Sequence, residues 1–172
     1  MNFQKKFAGK SGYSLIEMII YIAVLSVVSF LIANTLLSFV GGYRNILAMR
    51  KIDNSAIDVM ERITREIHFS TQIDDGNSVF GTNPGVLTLV RTVDGNSTTT
   101  KFYLQNGVVK IDVDGIYLGP LTLFDTTVDC MEFNKTSGQI SDAVKIDLTV
   151  SGTSGTVTKT KSYHSTVVLK KF

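Results

Sequence analysis

Cysteine occurs once in this chain, at Cys130. No intrachain disulfide can form, so the fold must rest on burial and hydrogen bonding. Cys130 lies in Val128-Asp129-Cys130-Met131-Glu132-Phe133, a strand-like run that favours a buried structural thiol over a reactive one. Histidine is almost as scarce: His68 falls near the end of a helical pattern and His164 in the last strand-like run. His-Glu-x-x-His, Gly-x-Ser-x-Gly and a glycine-rich phosphate loop with its lysine are all missing. These absences remove the usual hydrolase, metalloprotease and nucleotide-binding patterns, and the expectation is a protein without catalysis or cofactor. Asp112-Val113-Asp114-Gly115 is similar to the opening of a calcium loop, yet no acidic residue closes it at the twelve-residue spacing. Turn formers at the end of a hairpin explain Asp114-Gly115, so no metal is expected. Charge of one sign is also lacking. With 17 Lys and Arg against 15 Asp and Glu, the net charge of +2 predicts no direct nucleic-acid binding.

The chain does have one long apolar run. From Met18 to Val40, about 23 residues, there is no charge, proline or glycine. A helix of that length crosses a hydrocarbon core of about 30 Å. Glu17 stands at its threshold, and a carboxylate in hydrocarbon costs a few kcal/mol on insertion scales, so it is not expected to be idle. Lys5, Lys6 and Lys10 precede the run with no acid among them. Basic residues there hold that end in the cytoplasm and place the domain beyond the run outside the cytoplasmic membrane. A secretory signal fits less well, because the run exceeds a usual h-region and no Ala-x-Ala site succeeds it.

Lys10-Ser11-Gly12-Tyr13-Ser14-Leu15-Ile16-Glu17-Met18, with the spanning run behind it, resembles the signal of bacterial type IV prepilins and type II secretion pseudopilins. The resemblance implies that a prepilin peptidase cuts between Gly12 and Tyr13 and that Tyr13 becomes the N-methylated first residue. Glu17 is then the fifth residue and an assembly contact. Tyr13 and Ser14 stand where the family more often has Phe and Thr. Loss of the three leader lysines would take the net charge from +2 to −1. The implied partners are the peptidase and methylase, other pilins or pseudopilins met through the N-terminal helix, and the cytoplasmic membrane. The implied location is a single-pass precursor, N-terminus inside, and then an extracytoplasmic filament. Major pilins of the family commonly carry a mid-helix proline whose place here is Asn34, so Gly41-Gly42 is the better candidate for a flexible point. Asn34 and Ser38 share a face, and Ala23, Ser26 and Ala33 would let helices approach closely. The alternative for the hydroxyl residues is back-bonding to the preceding turn.

Beyond the glycines the pattern becomes amphipathic. Ile46, Met49, Ile52, Ala56, Met60, Ile63 and Ile67 recur at steps of three and four and predict one helix face, ending near Phe69. Asp58 to Arg62 and Glu61 to Arg65 are i,i+4 pairs on the opposite face. Residues 70–85 read as a turn-rich connection. Strands are predicted at Val86–Val93, across Thr100–Val113, and at Val128–Phe133, Val144–Val150 and Tyr163–Leu169. Asn106-Gly107 should make a two-residue turn that sets Leu104 opposite Val109, Phe102 opposite Ile111 and Lys101 opposite Asp112. Ser151–Thr160 is either a polar loop or a long solvated hairpin. The expected fold is α+β and pilin-like, a long helix packed on an antiparallel sheet. Its parts are a cleaved leader (1–12), a hydrophobic half-helix (13–40), an amphipathic half-helix (41–69) and a sheet domain (70–172). Within the family, Phe102–Val113, Gly119-Pro120-Leu121-Thr122, Val128–Phe133 and Met60–Ile67 resemble W-type minor pilins and J-type pseudopilins. The rival from another class is an uncleaved bitopic protein with an extracytoplasmic binding or sensor domain, ahead of an anchored enzyme.

Overall fold

The computed structural model describes residues 14–170; Gly12 and Tyr13, with the rest of the expected leader, lie outside that range. One helix, α1 (Leu15–Phe69), is followed by β1 (Gln72–Ile73), β2 (Val86–Val93), β3 (Asn96–Gln105), β4 (Val108–Val113) and β5 (Ile116–Pro120). Three longer strands complete the chain: β6 (Thr126–Ser137), β7 (Ser141–Ser154) and β8 (Val157–Lys170). All strand pairs are antiparallel, giving an α+β protein. The chain divides into two units, Met1–Gly42 and Tyr43–Phe172.

In the first unit the helix opens at Ser14, whose carbonyl accepts the N–H groups of Glu17 and Met18 at 3.0 and 3.2 Å. Ser26 and Thr35 donate to the carbonyls of Ile22 and Leu31, each at 2.8 Å. Both hydroxyls therefore back-bond within their own helix. At Gly41-Gly42 the helix continues unbroken. An added Cβ at either glycine would meet nothing within 4 Å, so no close packing calls for them.

In the second unit α1 buries Ala48, Ile52, Ser55, Ala56, Val59, Ile63 and Ile67. This seam is rotated from the stripe expected from sequence. Ile46 and Met49 are exposed, Met60 lies at the margin, and Ala48 and Val59 take their places. The cause is a close approach to β7. A Cβ on Gly152 would lie 2.7 Å from Ile52 Cγ1 and 3.3 Å from the Ala48 carbonyl oxygen. Only small residues fit such a contact, so the seam follows Ala48, Ser55 and Ala56 instead of the largest apolar side chains. Buried Ser55 accepts the Leu123 N–H at 3.2 Å and the Thr126 hydroxyl at 3.0 Å, fixing the β5–β6 connection to the helix. On the outer face Arg62 pairs with Glu66 at 2.9 Å, whereas the spacing suggests Asp58. Glu61 and Arg65 meet at 4.0 Å.

The hairpin registers follow from their turns. Asp94-Gly95, Asn106-Gly107 and Asp114-Gly115 each have positive φ at both residues, the backbone of a type I′ turn. Leu104 faces Val109, Phe102 faces Ile111 and Lys101 faces Asp112, as the Asn106-Gly107 turn requires. Val86–Val93 forms with the bounds expected, and the predicted connection at 70–85 contains the short β1.

The strands form two sheets rather than one, β1-β2-β3-β4-β5 and β6-β7-β8. The outer edge of β6 is occupied by irregular backbone, which explains the break. Gly81 and Gly85 donate to the carbonyls of Phe133 and Met131 at 2.8 and 2.7 Å, and Val128 donates to that of Gly107 at 2.8 Å. Asn83 Oδ1 accepts the Met131 N–H at 3.0 Å. Ser151–Thr160 resolves as the hairpin of the two alternatives, turning at Gly155. Its ends stay paired because hydroxyls meet across the strands: Thr149 with Ser162, Ser151 with Thr160 and Thr153 with Thr158, at 2.7–3.1 Å. Phe102, Phe133, Met131, Ile146 and Leu148 fill the core beside the helix seam.

Gly152→Val should force β7 off Ile52 and lower the unfolding free energy by about 1–3 kcal/mol, the usual scale for overpacking. Urea unfolding followed by circular dichroism checks this, with Gly95→Ala as a control for left-handed backbone strain in open space.

Candidate functional site

The residue singled out by sequence, Glu17, lies in the first turn of α1. There the unsatisfied N–H groups of the helix favour a negative charge. Between Leu15 and Val40 every other side chain is exposed, while Glu17 is half-buried. Tyr21, one turn further on, donates its hydroxyl to Glu17 Oε1 at 3.1 Å. Sequence reasoning missed Tyr21, although the i,i+4 spacing was there to be used. It also missed that Ser14 and Glu17 have the Ser-x-x-Glu spacing of a capping box. Gly12 and Tyr13, the expected cleavage pair, lie outside the described residues, so no geometry joins them to Glu17.

The apolar surface around Glu17 is large. Leu15, Leu25, Phe30, Leu37 and Phe39 are each at least 65% exposed. By length and composition α1 can cross a membrane, with its most apolar window wholly unburied.

In the second unit several titratable groups are held by one another. His164 Nδ1 meets Asp147 Oδ1 at 2.5 Å, and Lys145 reaches the same oxygen at 3.0 Å. Burial pushes the Asp147 carboxyl up, but the bonds from His164 and Lys145 outweigh it and hold the group below its ordinary range. The neighbouring cross-strand pair, Thr149 and Ser162, bond to each other rather than to His164. His68 is exposed at the end of α1. Cys130 is half-buried rather than fully buried, beside a register shift in β6. Burial, then the charges of Glu132 and Asp147, push its thiol up, away from the reactive thiolate.

Asp114-Gly115 forms the β4–β5 turn, and Asp114 Oδ1 accepts the Thr99 N–H at 2.7 Å. Asp112 accepts the Tyr103 hydroxyl at 3.1 Å. Among the described residues no group of three or more His, Cys, Asp or Glu could hold a metal ion. A polar cleft of about 500 Å³ is lined by Lys51, Asp125, Thr126 and the Thr153–Gly155 tip. Its two charges neutralise each other at 3.0 Å. Phe124, beside that cleft, is 96% exposed.

Asp53 fastens α1 to β8. Lys161 donates to its Oδ1 at 2.7 Å, and the Tyr163 hydroxyl bonds the same oxygen. These two bonds, Lys161 first, hold the Asp53 carboxyl below its ordinary value of 3.8. Burial, then the bond to Asp53, pushes the Tyr163 phenol up.

No family model, no curated protein and no solved structure matches this chain.

A carboxyl lowered on folding contributes in full above its unfolded pKa and loses that contribution as pH falls through the folded value. The Tm should therefore fall on acidification below about pH 4. Asp53→Asn should lower the Tm at pH 7 and flatten that acid limb. The remaining acid sensitivity comes from Asp147 and from Asp74, which the Asn77 side chain holds low. Thermal melts from pH 7 to pH 3 test it; an unchanged acid limb in Asp53→Asn would show that the Lys161 and Tyr163 bonds contribute nothing.

Proposed function

We propose that this chain is a minor pilin or pseudopilin, a structural subunit that undergoes chemistry and performs none. The observation that carries this is a single hydrogen-bonded carboxylate, Glu17, in the first turn of an otherwise exposed apolar helix. A membrane anchor needs only the apolar surface. A carboxylate kept at its start costs a few kcal/mol in hydrocarbon, which is accounted for if it has a partner after assembly.

The sequence around it supplies that partner. Cleavage between Gly12 and Tyr13 by a prepilin peptidase would free an α-amine four residues before Glu17, and N-methylation would leave its positive charge in place. While the subunit is alone in the cytoplasmic membrane, headgroups and water at the interface serve both charges. When an extruding machine packs apolar helices side by side into a pilus or pseudopilus, water leaves. Glu17 of one chain then meets the ammonium of another. Removing one member of such a buried pair costs about 3–5 kcal/mol, because the other is left uncompensated. The sheet unit faces outward and carries the subunit's identity.

The intact mass of protein taken from membranes should correspond to loss of Met1–Gly12, plus one methyl group. An unprocessed N-terminus in cells that have the peptidase would defeat the proposal and favour the bitopic sensor. Gly12→Val should accumulate as precursor, since a Cβ branch blocks the backbone approach that glycine allows. Glu17→Ala should be inserted and cleaved normally yet enter sheared filaments at least tenfold less well, the scale set by losing a buried charge partner. Wild-type incorporation of that variant would leave the helix as simple apolar packing.

A further inference from the structure

Glu17 is the only side chain between Leu15 and Val40 that is not exposed, and Tyr21 is what bonds it. In a helix each side chain leans toward the N-terminus, so residue i+4 reaches back over residue i. The Tyr21 ring lies in the apolar run while its hydroxyl returns to the carboxylate, joining a lipid-compatible body to a polar tip. Among the described residues the hydroxyl engages Oε1 at 3.1 Å and Oε2 takes no bond.

We infer that Tyr21 is a positioning residue for Glu17. It holds one carboxylate oxygen and narrows the side chain to a few rotamers, leaving Oε2 for the ammonium of the neighbouring subunit. This rests on the proposal that Glu17 is an assembly contact, and it adds how that contact is prepared. A bare carboxylate there would spread over many rotamers while water serves it, and would lose that water on packing without a fixed donor in its place. The tyrosine limits the rotamers beforehand and keeps one donor on the carboxylate once water has left. The competing role for Tyr21 is an interfacial aromatic anchor, which needs the ring and tolerates loss of the hydroxyl.

Tyr21→Phe keeps the ring and deletes the donor; Tyr21→Gln keeps a donor at the same spacing and deletes the ring. Full-length variants are expressed in cells carrying the peptidase and filament machine. Leader removal is read by intact mass, and incorporation by quantitative cross-linking sensitive enough to register the reduced yield of Glu17→Gln. Tyr21→Phe should be processed like wild type but incorporated about tenfold less, the scale of one hydrogen bond to a charged group. Tyr21→Gln should recover part of that loss. In a Glu17→Gln background, Tyr21→Phe should produce little further change. Wild-type incorporation of Tyr21→Phe, or an undiminished loss in the Glu17→Gln background, overturns the positioning role while the pilin proposal stands. If wild-type protein itself is neither cleaved nor incorporated, both fall together.

Discussion

The apolar surface of α1 from Leu15 to Val40 is the constraint on which the rest of this molecule depends. Its most apolar window has none of its residues buried. Exposed apolar area costs roughly 25 cal/mol per Å² in water, so a helix with this much of it must lie in lipid or against other helices. The two environments make different demands on polar atoms. Lipid offers no hydrogen bonds, and the bonds that Ser26 and Thr35 make to their own helix and Tyr21 makes to Glu17 would satisfy those groups there. A bundle of helices can offer a partner charge, which would add to what the first-turn N–H groups and Tyr21 already give Glu17.

The second unit meets a different requirement, because with one cysteine it must fold without an intrachain disulfide. It does so through a seam of small residues. Ala48, Ser55 and Ala56 on the helix and Gly152 on β7 bring backbones close, and Ile52, Val59 and Ile63 fill the flanks. Polar ties then fix the register of helix on sheet. Asp53 reaches Lys161 and Tyr163, Ser55 reaches the β5–β6 connection, and Lys51 reaches Asp125.

Where a local rule decides the outcome, the structure was legible from the chain. Asn106-Gly107 admits one common hairpin geometry, so three cross-strand pairs could be named from sequence and are present. The helix end at Phe69 was equally clear, because the charged, three-four periodic pattern stops there. Legibility failed where partners distant in sequence choose. The buried stripe begins at Ala48 because Gly152, remote along the chain, admits the helix closely at Ala48 and Ile52. The sheet divided in two because residues 81–85 and Gly107 cap β6 through backbone atoms that carry no sequence signal. For Ser151–Thr160 composition left loop and hairpin both open, and the hydroxyls that pair across the strands go with the hairpin. At the candidate site Glu17 was found from its charge in an apolar run. Tyr21 was overlooked because an aromatic in such a run is compositionally ordinary, and it is the hydroxyl that reaches Glu17.

The sheet edges bear on how copies of this chain could associate. Open strand edges are templates for unwanted pairing, and each of the four here is blunted. β1 has two residues; β5 has five, beside a register shift, and ends at Pro120, which lacks an N–H. The edge of β6 is covered by residues 81–85 and Gly107. β8, the long open edge, carries Lys159, Lys161 and Lys170 and no acidic residue from Val157 to Lys170. The borders of both sheets are thus short, covered or lined by lysine, while α1 from Leu15 to Val40 is exposed apart from Glu17 and carries Glu17 as its one charged side chain. On the proposed reading, association falls to side-by-side packing of the apolar helix, where Glu17 is the one charge that can favour one axial register over another.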